Sequence, residues 1–105
     1  MNISEVCVGY AVLNEGTPGI ICSLERGCLV LLAEPDFTYQ ILTDQQATEL
    51  LEVIGDTELE YRYVSPARLE KDFERGVFEE ALTHARELAG LSASHSPTAG
   101  FGFDY

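Results

Sequence analysis

At Thr43 the spacing of apolar residues changes, and that change constrains the chain more than any other feature. Before it, apolar residues come in short blocks that suit strands; after it, they recur every three to four residues, as on one face of a helix. Residues 5–13 (EVCVGYAVL) are apolar on both sides, which predicts a central strand covered on both faces. Residues 14–19 (NEGTPG) carry a dense turn signal. Two further strands, IICSL and CLVLLA, are joined at Gly27, which suits the tight position of a hairpin. Glu34, Pro35 and Asp36 predict another turn, and FTYQIL then alternates, with Phe37, Tyr39 and Ile41 on one face.

Thr43 is a good N-cap, with Gln46 as its capping-box partner. Ala47, Leu50, Leu51 and Ile54 form an apolar stripe that predicts a helix running to a stop at Gly55. Residues 58–64 return to alternation and read as a half-buried strand near an edge, with Leu59, Tyr61 and Tyr63 opposite Glu58, Glu60 and Arg62. Ser65 and Pro66 then open a long helix as N-cap and first-turn proline. Leu69, Phe73, Val77, Ala81, Ala85 and Leu88 line its apolar face up to Gly90, and Gly76 marks a kink or a close approach of the sheet. Short turns between strands make an antiparallel meander. The expected fold is α+β: about five strands and two helices in one domain over residues 1–90, with the helices packed on the sheet. Residues 91–105 read as a flexible or back-docking tail, whose aromatic residues Phe101, Phe103 and Tyr105 suit either the parent domain or a partner.

No motif fixes a catalytic activity. The three cysteines stand in apolar strand runs and read as small buried hydrophobes. With Glu25, Arg26 and Gly27 as a three-residue loop, Leu24 would face Cys28 and Cys22 would sit diagonally, about 7–8 Å away and too far for a relaxed disulfide. His84 falls beside the helix stripe and His95 in the tail, so neither pairs with a polar cysteine. Cysteines with five residues between them across a hairpin are wrongly spaced for zinc, and the glycine-rich stretches lack the lysine and helix of a phosphate loop. The expectation is a protein without cofactor or metal that is not an enzyme. The apolar runs fall far short of the ~18 residues of a membrane helix, and the start has no basic leader region. The expectation is a cytoplasmic protein without membrane contact.

Charge is the informative property. Of eighteen acids, eleven lie in residues 1–60 beside a single base, Arg26, whereas residues 61–105 hold seven acids and five bases. The last helix balances itself through Arg68–Asp72 and Lys71–Glu74 pairs on a solvated face. The first does not: Glu49, Glu52 and Asp56 lie opposite its apolar stripe, joined by Glu34, Asp36, Asp44, Glu58 and Glu60 from flanking segments. Such a surface serves solubility, but it also docks onto basic proteins, and basic surfaces characterise proteins that handle nucleic acid. In general type the chain resembles small bacterial or phage immunity proteins, antitoxins and inhibitors that imitate DNA. No motif of a particular family accompanies that likeness. The expectation is an acidic interaction protein that binds a basic partner such as a nuclease and no nucleic acid directly. The alternative is a small-molecule-binding or enzymatic domain with a pocket between sheet and helix, lined by Tyr10, Tyr39, Tyr61 and Tyr63.

Overall fold

The central strands take both faces of the chain's apolar surface out of water at once. In the computed structural model, which describes residues 5–33 and 37–93, five strands form one sheet in the order β4-β3-β2-β1-β5, every neighbouring pair antiparallel. They are β1 (Tyr10–Asn14), β2 (Thr17–Ser23), β3 (Cys28–Leu32), β4 (Tyr39–Leu42) and β5 (Leu51–Asp56). The helices are α1 (Asp44–Leu50), α2 (Pro66–Glu74) and α3 (Glu79–Ala93). The α+β architecture and the meander β1–β4 are those expected.

Alternate strand residues feed two cores, one on each side of the sheet. Ala11, Ile20, Cys22, Leu29 and Leu31 pack under Leu69 of α2 and Phe78, Ala81, Leu82 and Ala85 of α2–α3. Val12, Ile21, Cys28, Val30 and Leu32 pack on the other side with Val6, with Ala47 of α1 and with Leu51. On that second side Asn14 of β1 donates to Gln40 Oε1 of β4 across two intervening strands, which requires this face to curl around its core. The helices pack on the sheet as expected, α1 on one side and α2 and α3 on the other.

The strand boundaries shift in ways the residues explain. β1 starts at Tyr10, because Gly9 takes φ +98° and sends its N–H to Ile21 O at 2.8 Å. β2 starts inside the predicted turn, at Thr17, after a two-residue reversal at Glu15 and Gly16. Pro18 therefore stands within a strand. Its carbonyl accepts from Ala33 N–H at 2.8 Å, and the Ala33 carbonyl, which Pro18 has no N–H to meet, accepts from Arg86 Nε at 3.4 Å. Between β2 and β3 the register places Ser23 opposite Leu29 and Ile21 opposite Val30, so Cys22 is bulged. That register leads on to Leu24 and Cys28, both on the α1-side core, whereas Cys22 belongs to the core on the opposite side of the sheet.

The first helix is shorter than its stripe. Its capping box forms as expected, with Thr43 Oγ1 accepting from Gln46 N–H at 3.1 Å and Gln46 Oε1 accepting from Thr43 N–H at 3.0 Å. It ends at Leu50, and Leu51 turns extended at φ −100°, ψ 140°. The reason is β1, apolar on both faces and otherwise left with a bare edge. Residues 51–56 include β-branched Val53 and Ile54, and pairing them with β1 satisfies more backbone than one further helical turn would. Leu50 is consequently exposed, at 41%.

Residues 58–64, expected as the fifth strand, belong to an extended strap over 57–65 outside the sheet. Asp56 Oδ1 accepts Glu58 N–H at 2.8 Å, Glu58 adopts φ +62°, and the chain leaves the ladder there. The alternation survives: Leu59, Tyr61 and Tyr63 pack on the α2–α3 core, while Glu58, Glu60 and Arg62 point to solvent. Gly9 permits this crossing, since a Cβ there would lie 2.4 Å from Leu59 O.

The single long helix is also corrected. Ser65 caps α2 as expected, accepting from Arg68 N–H at 3.2 Å. The helix then closes in a Schellman motif, with Gly76 at φ +82°, its N–H on Phe73 O, and Val77 N–H on Asp72 O. The left-handed residue advances the apolar phase by one. Val77, expected inside, is 40% exposed, and Phe78 is fully buried.

Candidate interaction surface

β5 is the outermost strand on its side of the sheet, and the acids gather there because of how the chain enters and leaves it. Glu49 sits in the last turn of α1, Glu52 and Asp56 lie in β5, and Glu58 follows at the start of the strap; all four are exposed. Glu5, Glu49 and Glu52 line a groove of about 570 Å³ with Val6, Tyr10, Leu51 and Val53. A second groove, of about 610 Å³, lies on the α3 side and is lined by Thr57, Glu79, Glu80, Thr83, His84 and Glu87. The two belong to one edge: Thr57 directly follows β5, and a Cβ on Gly55 would lie 2.6 Å from Leu88 of α3.

Not every expected residue joins them. Asp44 is exposed at the other end of α1, where its charge is felt by Cys28. Glu60 is exposed further along the strap. Glu34, Asp36, Phe101, Phe103 and Tyr105 lie outside the described residues. In exchange, Glu5, Glu79, Glu80 and Glu87 enter, although the last three came from a helix that read as internally balanced. A signal for them was present, since Glu80 and Glu87 are two turns apart on one helix face.

Arg68 and Arg75 are engaged away from this edge. Among the described residues both ion pairs fall on Asp72, from Arg68 Nε at 3.2 Å and Arg75 Nη1 at 3.9 Å. The expected Lys71–Glu74 pair does not close. Asp72 itself is buried instead of solvated, and it accepts the Tyr61 hydroxyl at 2.8 Å. That hydrogen bond, with Arg68 and Arg75 beside it, holds the Asp72 carboxyl below its ordinary range. Burial, and then the same bond to Asp72, push the Tyr61 hydroxyl well above the usual phenol.

The four tyrosines do not converge. Tyr10 packs with the α1-side core, whereas Tyr39, Tyr61 and Tyr63 pack with the α2–α3 core. Tyr63 lines a separate groove of about 490 Å³ at the β2–β3 turn, with Arg26, Leu29, Ile41, Val64 and Pro66. Cys22 and Cys28 are buried, and burial pushes their thiols up to about 12 and about 11. Cys7, expected to be buried with them, is exposed, because β1 begins only after it. Among the described residues no group of His, Cys, Asp and Glu is arranged to hold a metal ion, and no helix is long and apolar enough to cross a membrane. Comparison with protein-family models, curated proteins and solved structures finds no match to this chain.

Proposed function

We propose that this is a cytoplasmic interaction protein rather than an enzyme: a small inhibitor or immunity-type binder. Its acidic β5 edge would dock on the basic surface of a nucleic-acid-handling protein, in the place of phosphates. One observation carries the reading. Glu49, Glu52, Asp56 and Glu58 stand exposed around a single strand, with no lysine or arginine in ion-pair contact among the described residues. Uncompensated charge of one sign opposes folding through self-repulsion, and it speeds encounter with a surface of opposite sign.

The test is a charge reversal that spares the fold. Asp56 is left in place, since its carboxylate holds the turn at Glu58. Glu49→Lys, Glu52→Lys and Glu58→Lys together should leave the melting temperature equal or slightly higher. Association with a basic partner captured from native cells should slow about tenfold or more at low salt. The deficit should shrink as the screening length falls from about 10 Å at 0.1 M salt to about 3 Å at 1 M. Unchanged association at low salt would sink the reading.

A further inference from the structure

We infer that the outer edge of β5 receives an extended basic segment of the partner as a sixth strand; this rests on the docking surface proposed above and specifies how it is used. β5 pairs with β1 on one side, and among the described residues no backbone group pairs with its other side. An open edge offers N–H and C=O groups to any extended chain, so its side chains decide which chain is admitted. Here they exclude a second copy, since two such edges would bring Glu52 and Asp56 against the same acids.

The two sides of the edge differ in chemistry. Towards α1 the groove mixes Glu5, Glu49 and Glu52 with Val6, Leu51 and Val53, and the neighbouring apolar side chains Leu50 and Val53 are exposed at 41% and 37%. Towards α3 the groove is polar, with Glu79, Glu80 and Glu87. Successive residues of an added strand point to opposite faces. The segment that fits therefore alternates, with an aliphatic residue towards α1 and a lysine or arginine towards α3. The apolar contacts supply the dry centre of the interface and the charges its rim.

A synthetic peptide of about eight residues alternating lysine and valine, close to ordinary strand length, is the probe. It should bind the full chain. A copy N-methylated at every second amide keeps the side chains but loses ladder donors, and it should bind about tenfold or more weakly when those amides face β5. The copy methylated at the other amides should bind like the parent. A peptide of the same composition with its lysines and valines in two blocks should also bind more weakly. Equal binding of all these peptides would overturn strand addition and leave a purely electrostatic acidic face. Absence of any binding, with the reversal variant still impaired towards its captured partner, would overturn strand addition alone. Displacement of the basic peptide by a peptide of residues 98–105 would make the chain's own end the occupant and overturn the basic one.

Discussion

Phe78→Ala is expected to lower stability by about 3–5 kcal/mol, the usual cost of emptying a buried phenylalanine site. At roughly 4–8 °C per kcal/mol in a domain of this size, the melting temperature should fall by about 12–40 °C or the protein should fail to fold. Phe78 is fully buried, its ring centroid lies 4.7 Å from that of Tyr61, and it joins the core beneath α3 just after the break at Gly76. The control is its neighbour. Val77→Ala removes a side chain that is 40% exposed and should shift stability by no more than about 0.5 kcal/mol. Thermal unfolding of the pair reads the phase of the helix directly. A larger loss at Val77 than at Phe78 would mean that α2 and α3 are one continuous helix and that the Schellman closure is wrong.

The second large effect lies at Gly9. Gly9→Ala places a Cβ 2.4 Å from the Leu59 carbonyl, on a residue whose φ is +98°. The backbone conformation alone costs roughly 1–3 kcal/mol in an L residue. The clash is with main chain, so no side-chain rotation relieves it, and the strap must lift. Gly9 O also accepts Thr57 N–H at 3.0 Å and Thr57 Oγ1 at 2.5 Å, and both bonds would be strained with it. Because the chain has no tryptophan, the near-ultraviolet dichroism comes chiefly from its tyrosines. The variant should lose melting temperature and the signal of Tyr61, which the strap holds against Phe78 and Asp72. A variant with wild-type stability and an unchanged tyrosine spectrum would show that the strap does not cross there.

What was legible in the sequence was what neighbouring residues decide. The turns after β1 and β2, the Thr43 capping box and the Ser65–Pro66 start each depend on a few adjacent side chains. The end of α1 was not legible, because Leu51, Val53 and Ile54 serve a helix stripe or a strand equally well. The choice is made by β1, far away in the chain, which would otherwise keep an unpaired edge. Gly76 was visible as punctuation, but only its left-handed conformation moves the core from Val77 to Phe78. The alternation of residues 58–64 was real, but it records one buried side, and a strap on a core produces the same pattern as a strand in a sheet. Burial of Asp72 depends on Tyr61, which the strap delivers. The acidic surface was half legible: Glu49, Glu52, Asp56 and Glu58 are close in sequence, whereas Glu79, Glu80 and Glu87 reach the same edge only because Leu88 of α3 packs over Gly55.

The order β4-β3-β2-β1-β5 has a consequence for the way the sheet opens. β1 to β4 close through short reversals, whereas β5 reaches β1 only after α1 has carried the chain from one border of the sheet to the other, bringing Asp56 beside Tyr10. Contacts so distant along the chain are costly in loop entropy and come late in folding. The β1–β5 ladder is also interrupted by a bulge between Ala11 and Val12. β5 should therefore behave as a separate cooperative unit that detaches before the meander does. In native-state hydrogen exchange, the β5 amides bonded to β1 should exchange at lower denaturant than those between β2 and β3; a single common isotherm for all of them would exclude such a unit. A strand added to that border, as proposed above, would hold it shut.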